Sequence, residues 1–413
     1  MDGHTMKKII SVFLCVLLIL SSCVFSVFAD DAYAYDEEYY SKFKGDNLTL
    51  YVYNWGEYIS DGSDGSMDVI KEFEKLTGIR VEYTTFDTNE GLYSKLQSGS
   101  AYYDIIIPSD YMISRMAENG MLEKLNYKNI PNFEKYIDGD FKNPDYDANQ
   151  EYSVPYTWGT VGLIYNSKYI TEEVDSWDIL WDEKYSGKIL MFSNSRDAFA
   201  IALRRLGYSM NTENPDELRA AAESLKEQKN VVQAYVMDQI FDKMTEENAW
   251  VAPYYAGDYI TMSETNEDLK FVFPKEGFNQ FVDSMCIPKG CVNQEAAEMF
   301  INFMCEPRVS AENCSYIGYS TPISAAKDLM DAEVVENEVA YPDSETLANS
   351  ETFRNLSDDT NKLLDDLWIE VRIGTITPDF WIAVAFLAAG VLGLCFMVIY
   401  RKQKRLRARN AVK

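Results

Sequence analysis

The 413 residues carry a formal charge of −28 at pH 7, and 47% of them are hydrophobic, so the chain is long and apolar enough for a sizeable core. The acidic excess argues against nucleic acid or anionic lipid as partners and favours a cationic ligand, although a merely solvated acidic surface gives the same count. His4 is the only histidine and precedes or lies within a predicted export signal, which excludes Ser-His-Asp and Cys-His catalysis, histidine-ligated zinc and histidine pH switching in the mature protein.

The N-terminus has the pattern of a secretory signal. Two lysines precede the mostly apolar stretch 9–20, and two cleavage sites follow, a lipobox ending at Cys23 and an ordinary signal-peptidase site after Ala29. We expect ordinary cleavage to remove residues 1–29, because the chain has a second predicted anchor; lipid attachment at Cys23 stays open. The acidic, tyrosine-rich stretch 30–46 shows no clear period, and we expect a flexible leader there.

From residue 48, strand patterns and helix patterns alternate. Strands are predicted at 48–53 and 79–85 from β-rich patterns and at 103–108 from a buried apolar run. Each strand is followed by apolar residues at helical spacing, at 67–76, 90–96 and 111–122 in turn. Three such repeats in succession are typical of βα units with a mainly parallel sheet.

The middle of the chain continues the α/β mixture. It contains a predicted strand at 188–192 and an amphipathic helix at 215–229. The turn-rich strand patterns at 156–163 and 271–287 either belong to one long α/β domain or mark places where the chain crosses between two lobes. A helix at 358–372, with its apolar residues on one face, is expected to close the globular part.

Residues 380–400 form an uncharged, mostly apolar stretch. At about 1.5 Å per residue, its 21 residues match the roughly 30 Å hydrocarbon core and predict a single transmembrane helix. The tail 401–413 is rich in Lys and Arg, which places it in the cytoplasm. Only the linker 374–379 separates the helix from the main body, which is therefore expected just outside the membrane. Between residues 30 and 376 the chain has 29 basic and 64 acidic residues, a net charge near −35.

Four cysteines fall in the predicted outer domain, at Cys286, Cys291, Cys305 and Cys314. In an exported protein they allow two disulfides with three possible connectivities. They also lie in apolar, element-like stretches, which fits buried free thiols equally well.

The loops that follow the predicted strands carry the candidate chemistry. In a parallel α/β sheet, ligands bind beyond the carboxyl ends of the strands. The loops at 54–58, 108–111 and 193–197 each combine an aromatic or hydroxyl group with a carboxylate or amide. An alkylammonium needs this mixture, because carboxylates accept its N–H groups while aromatic faces contact the charge and enclose the methylenes.

Several motifs give the chain a resemblance to a known family. They are LYVYNWGEY at 50–58, SVPYTWG at 153–159, ALRRLGY at 202–208, PKEG at 274–277, VDS at 282–284 and IGYSTP at 317–322. With them, residues 48–355 resemble the periplasmic spermidine/putrescine-binding proteins, the PotD-like receptors of polyamine ABC importers.

The resemblance implies a periplasmic-binding-protein-like (type II) α/β fold with two lobes. Crossover strands near Trp158, Phe281 and Ala326 would serve as the hinge. Lobe 1 is then expected at 47–159 and 281–327, and lobe 2 at 160–280 and 328–373. The C-terminal transmembrane helix would follow lobe 2.

The resemblance also implies ligand-binding residues, carried over motif by motif. They are Trp55, Glu57, Tyr58, Ser109, Tyr111, Asn194, Asp197, Tyr255, Phe281, Asp283 and Tyr319. Trp55, Tyr58 and Tyr319 would be aromatic walls, Glu57 an acceptor for an ammonium, and Asp283 the carboxylate that binds an amino group deep in the site.

The chain departs from the family pattern at several of these positions. Asn194 stands where spermidine-binding members often have an aspartate, and Asp197 replaces a longer glutamate. Tyr255 and Phe281 replace tryptophans, and Phe353 replaces a polar glutamine. Because one formal charge is lost at Asn194, a dication competes seriously with a trication, and the choice between putrescine and spermidine stays open.

These observations predict a membrane-tethered receptor that captures a polyamine and delivers it to the permease subunits of an ABC importer. The binding domain is expected outside the cell membrane, in the periplasm or at the cell surface, with the basic tail in the cytoplasm. We expect a monomer without cofactor, metal, enzymatic activity or nucleic-acid partner.

Three alternatives come from the same residues. Adjacent Tyr254 and Tyr255 resemble the paired tyrosinates of ferric-binding proteins, which suggests a ferric-iron receptor. A single-pass tether also suits a polyamine sensor. A glycosidase built on Glu57 and Asp283 needs no histidine. Such catalysis requires one carboxyl with a raised pKa, however, whereas an amine site requires ionised carboxylates.

Overall fold

Residues 33–373 are described by the computed structural model. The predicted signal peptide, the linker 374–379, the transmembrane helix at 380–400 and the tail 401–413 lie outside the described residues. Within residues 33–373, no helix combines the length and the apolar character needed to cross a bilayer.

Strands and helices alternate along most of the described chain. The strands are β1 (Thr49–Trp55), β2 (Arg80–Phe86), β3 (Ile105–Ile106), β4 (Ser153–Asn166), β5 (Ile189–Phe192), β6 (Val232–Val236), β7 (Val251–Tyr255), β8 (Leu269–Val272), β9 (Phe278–Cys286) and β10 (Ser350–Glu351). The helices up to the middle are α1 (Glu37–Tyr40), α2 (Val69–Thr77), α3 (Asn89–Gln97), α4 (Asp110–Glu118), α5 (Pro131–Tyr136), α6 (Ser195–Arg205), α7 (Pro215–Gln228) and α8 (Ile240–Thr245). The remaining helices are α9 (Ala256–Thr265), α10 (Gln294–Met304), α11 (Pro307–Ile317), α12 (Ser324–Lys327), α13 (Ala332–Val335), α14 (Ser344–Leu347) and α15 (Asp358–Ile373).

The first lobe is built from the three predicted βα repeats. β1 pairs with β2 on one side and β3 on the other, both in parallel, because α2 and α3 return the chain to the same end of the sheet. Asp68 and Thr88 cap α2 and α3 by accepting backbone N–H groups. β3 is shorter than predicted: only Ile105 and Ile106 pair with β1, and Ile106 then pairs with β9 in antiparallel fashion.

β4 connects the two lobes. Its first part, through Thr160, pairs with β9 in antiparallel fashion. From Val161 onward its partners are β7 and, from Leu163, also β8. The sheet order is therefore β2-β1-β3-β9-β4-β7-β5-β6, and both β4 and β9 lie where the lobes join. The predicted two-lobed α/β architecture is present in the structure.

The second lobe has its own parallel strands. β5 lies between β6 and β7 and runs parallel to both. The final helix α15 buries Leu364, Leu367 and Val371, as its apolar face predicts. Lys229, which follows α7, donates to the Val371 carbonyl at 3.2 Å. The helix thus packs on the second lobe.

The acidic leader needs a correction, because residues 33–46 pack on the first lobe instead of remaining free. Tyr40 in α1 is completely buried and donates a 2.6 Å hydrogen bond to Glu306. Its ring also packs edge-on against Phe303 at 6.0 Å. Apolar tyrosine rings, not the acidic side chains, decide where this segment lies.

The four cysteines are free thiols in the described part of the chain. Cys286, Cys305 and Cys314 are buried, and Cys291 is half-buried. The sequence left open either two disulfides or buried free thiols. No disulfide joins any of these four cysteines, and three of them are buried free thiols.

Candidate functional site

The carboxyl ends of strands from both lobes meet at one cavity. It has about 590 Å³ of empty space, part of it open to solvent, beside residues at or after the ends of β1, β3, β5, β6 and β7, where open α/β sheets bind ligands. Ten of the eleven predicted site residues line it: Trp55, Tyr58, Ser109, Tyr111, Asn194, Asp197, Tyr255, Phe281, Asp283 and Tyr319. The wall also includes Gly56, Asn89, Met237, Asp238, Tyr254, Asp258, Asn279 and Phe353.

Asp283 on β9 is a buried carboxylate in the cavity wall. It is only 4% exposed, and its Oδ2 accepts a 2.7 Å hydrogen bond from the Tyr58 hydroxyl. Ser109, which precedes α4, forms an isolated antiparallel β-bridge with Asp283. The other oxygen, Oδ1, has no partner. A buried oxygen without a donor is costly unless a ligand supplies one, so Asp283 is suited to accept from an ammonium.

Asp197 lies in the first turn of α6 and is held by two neighbours. Its Oδ2 accepts from Asn194 Nδ2 at 2.6 Å and from the Tyr255 hydroxyl at 3.0 Å. Asn194 uses its own Oδ1 to cap α6 by accepting from the Arg196 backbone N–H. The amide at position 194 therefore orients Asp197 by donating to it, which a second carboxylate at this position cannot do.

Two further carboxylates in the wall were missed by sequence reasoning. Asp258 lies in the first turn of α9 and accepts from the Tyr319 hydroxyl at 3.1 Å. Asp238 follows β6. Both follow strands, β7 and β6, that the sequence analysis did not predict.

Aromatic rings form an apolar sleeve between the carboxylates. Tyr58 and Tyr319 pack edge-to-face with centroids 4.6 Å apart. Tyr255 and Phe281 do so at 5.5 Å, and Phe281 continues to Tyr319 at 6.4 Å. Such a sleeve can enclose methylene groups and contact a cation through its ring faces.

Glu57 is the one predicted residue that the structure leaves outside the cavity wall. It is exposed and has a φ of 48°, which turns the chain between Gly56 and Tyr58. Its charge still acts on the site from the rim, since it contributes to the raised pKa of Asp238 and of Asp258. The contact of Glu57 with an ammonium therefore stays a prediction.

Burial raises the pKa of several carboxyls in and beside the cavity wall. Burial raises the pKa of Asp283 to about 6 and that of Asp197 to about 7. Beside them, burial raises the pKa of Asp110 to about 8, although it accepts backbone N–H groups from Tyr111 and Val282. Desolvation is the largest cause at all three. Raised pKa values therefore do not separate an enzyme from an amine receptor here, contrary to the sequence argument.

The paired tyrosines do not favour iron. Burial raises the pKa of Tyr254 and of Tyr255 well above the usual value, and nearby carboxylates raise both further. Ferric iron needs deprotonated tyrosinates, and these surroundings oppose deprotonation.

The chain belongs to the family of bacterial extracellular solute-binding proteins, whose family model matches residues 68–343. It is 35% identical over 331 residues to the spermidine/putrescine-binding periplasmic protein of Salmonella typhimurium, covering 80% of this chain and 93% of that protein. The predicted resemblance to the spermidine/putrescine-binding proteins is thus confirmed. Because the family consists of solute-binding transport proteins, the glycosidase alternative is set aside.

Solved structures agree with this assignment. A structure described as a spermidine/putrescine ABC transporter from Listeria monocytogenes has a TM-score of 0.75 and 39% identity, covering 79% of this chain and 99% of that one. The spermidine/putrescine ABC transporter substrate-binding protein PotD from Streptococcus pneumoniae has a TM-score of 0.66 and 35% identity over the same shares. Both solved structures therefore share the fold of this chain over most of its length.

Proposed function

We propose that this chain is an extracytoplasmic receptor that binds polyamines and delivers them to an ABC importer. The composition of the cavity wall carries the proposal. Among the described residues, the wall contains four carboxylates, Asp197, Asp238, Asp258 and Asp283, together with aromatic rings and no lysine or arginine. A ligand that neutralises such a wall is cationic at more than one point and apolar between the charges. The names of the relatives specify the same chemistry.

In the proposed mechanism, one ammonium of the ligand donates to the unpaired Oδ1 of Asp283, and the methylenes lie in the aromatic sleeve. Asp197 and Asp258 come from the second lobe, so one ligand contacts both lobes. The closed arrangement is then favoured, because the ligand binds it better than the open one. The closed receptor docks on the permease at the outer face of the membrane.

The lobe boundaries predicted from the sequence are retained as part of this proposal. Lobe 1 comprises 47–159 and 281–327, and lobe 2 comprises 160–280 and 328–373. The change of β4 partners between Thr160 and Val161 supports the first boundary, because the strand leaves one sheet and enters the other there.

We also propose that the transmembrane helix at 380–400 tethers the receptor beside its permease, with the tail 401–413 in the cytoplasm and the binding domain outside. The uncharged stretch and the basic residues after it support this arrangement. A tether replaces diffusion by a high local concentration of receptor at the permease. The receptor would act as a monomer.

Calorimetry tests the proposed function. The full chain, purified in a non-ionic detergent, is titrated with putrescine, spermidine, spermine and neutral solutes of similar size. We expect an amine to bind with Kd below about 100 µM and neutral solutes not to bind. Asp283→Ala is expected to weaken amine binding at least tenfold, because it removes a charge-assisted acceptor. Exposed Asp216 on α7 provides the matched control, and Asp216→Ala is expected to change Kd less than twofold.

The two outcomes that contradict the proposal are separate. If no amine binds the native chain in this range, the function is wrong. If amines bind but Asp283→Ala leaves Kd within twofold, the function stands and the site is wrong.

A further inference from the structure

The Asp238 carboxylate lies unusually close to the backbone of the opposite lobe. It follows β6 in the second lobe, and its carboxylate lies against Gly56, in the loop after β1 of the first lobe. A Cβ added to Gly56 overlaps Asp238 Oδ2 and lies 3.1 Å from its Cγ. Gly56 does not have a left-handed φ, so the backbone there accepts other residues. A side chain at position 56 would therefore displace the Asp238 carboxylate and would not strain the backbone.

Asp238 differs from the other wall carboxylates in its partners. Asp283, Asp197 and Asp258 each accept a hydrogen bond from a tyrosine hydroxyl. In the described part of the chain, the Asp238 side chain accepts no hydrogen bond from another residue, and it forms no ion pair. It is half-buried and borders the cavity, so its acceptor oxygens are available to a ligand.

Within residues 33–373, no cationic side chain contributes to the pKa of Asp238. Its pKa is raised by burial and then by the charges of Asp87 and Glu57, and Asp238 in turn raises the pKa of Asp258. Asp197 and Asp110 differ from Asp238 in this respect, because the buried Arg196 guanidinium lowers the pKa of both.

The carboxylates therefore form two groups, according to which of them raise one another's pKa. We call Asp283, Asp197 and Asp110 the inner group, and Asp238 and Asp258 the outer group. The charge of Asp283 acts on Asp197 and Asp110, whereas that of Asp238 acts on Asp258. A second ammonium is the partner that the outer group lacks.

We propose that Asp238 binds the outer ammonium of the ligand and that Gly56 is the residue that admits it. Asp238 then determines specificity by requiring a cation at both ends of the ligand, one at Asp283 and one at Asp238. This inference rests on the proposed function and adds to it a residue that selects for a second ammonium group.

Two ligands, measured with two charge-removing substitutions, test the inference in the full chain. 1,4-Diaminobutane carries both ammonium groups, whereas 4-amino-1-butanol has the same chain with a hydroxyl at one end. Asp238→Asn is expected to weaken the diamine at least tenfold and the amino alcohol less than twofold. Asp283→Asn is expected to weaken both ligands, because both use the inner position. Asp242→Asn, an exposed change of the same charge on α8, is the control and leaves both affinities unchanged.

A second experiment uses Gly56. Gly56→Ala is expected to weaken the diamine about tenfold, because the new methyl displaces the carboxylate. In a chain that already contains Asp238→Asn, the same change is expected to add less than twofold, since the contact that it disturbs is already lost. Both results are read by calorimetry.

The inference is overturned if Asp238→Asn weakens the diamine and the amino alcohol equally, or weakens neither. It is also overturned if Gly56→Ala and Asp238→Asn act additively. Failure of the proposed function looks different, because then the native chain binds no amine at all.

Discussion

Asp283 combines the two properties that a buried cation site needs. Tyr58 fixes one carboxylate oxygen, and the other has no donor within the protein. The hydrogen bond from Tyr58 orients the carboxylate through Oδ2, and Oδ1 remains available to accept from a ligand. Asp197 follows the same logic with Asn194 and Tyr255 as its orienting donors.

At the residue scale, we predict that polyamine affinity rises with pH between about 5.5 and 8. Burial raises the pKa of Asp283 to about 6 and that of Asp197 to about 7, and an ammonium favours their ionised forms. Polyamine amines remain protonated in this range, since alkylammonium pKa values lie near 10.4. Binding therefore releases protons, and below pH 6 part of the binding free energy is lost to deprotonation.

If both carboxyls must ionise, the loss of affinity between pH 8 and pH 5.5 is on the order of 100-fold. Calorimetry in two buffers with different ionisation enthalpies measures the released protons directly. Glu90, Asp110 and Arg196 face the pair, and Asp110, whose pKa burial raises to about 8, titrates in the upper part of the same range. A Kd that is constant over this range, without proton release, contradicts the prediction.

Sequence reasoning found residues of the site when a motif or a strand end marked them. Trp55, Ser109 and Asn194 follow predicted strands, so their position at one edge of the sheet could be inferred. Glu57 shows the limit, because a positive φ at one residue turns its side chain away from the wall that both neighbours line. Asp238 was missed because its approach to Gly56 depends on how the two lobes meet.

At the element scale, helix and strand periodicity predicted the βα repeats of the first lobe closely. The pattern at 48–53 corresponds to β1 (Thr49–Trp55), and that at 358–372 to α15. The leader was misread, because an acidic segment with several tyrosines looks solvated until the apolar face that receives Tyr40 is known. Tertiary contacts determine where such a segment lies, and a local sequence pattern does not show these contacts.

β4 leads to a prediction about stability. A Cβ on Gly162 lies 2.7 Å from the Val272 carbonyl oxygen and overlaps the Phe271 ring, so β8 must move to admit it. Gly162→Ala is expected to lower the free energy of unfolding by about 1–3 kcal/mol, the usual cost of overpacking. Urea denaturation followed by tryptophan fluorescence measures the change.

Gly139 provides the matched control for this substitution. It is exposed, its φ is not left-handed, and a Cβ there meets nothing within 4 Å. Gly139→Ala is expected to change the free energy of unfolding by less than about 0.5 kcal/mol. Equal effects at the two glycines contradict the proposed close packing of β4 against β8.

At the scale of the whole molecule, charge and architecture act together. The predicted outer part has a net charge near −35, with 29 basic against 64 acidic residues between 30 and 376. A negative surface attracts a polycation over distances of about a Debye length, roughly 8–10 Å at physiological salt, and then the cavity discriminates at contact. Association should therefore slow as salt rises, whereas the preference for two ammonium groups resides in Asp283 and Asp238.

The tether is the last prediction and concerns how the receptor is held. Removing residues 374–413 is expected to release the protein from membranes into the soluble fraction, with polyamine affinity unchanged, because the cavity lies wholly within residues 33–373. Cys23→Ser in the full chain separates the two possible anchors, since it abolishes lipid attachment but leaves the helix at 380–400. Retention of Cys23→Ser in carbonate-washed membranes supports the helix. Release of Cys23→Ser, with retention of the truncated chain, would assign the anchor to a lipid and contradict the transmembrane helix.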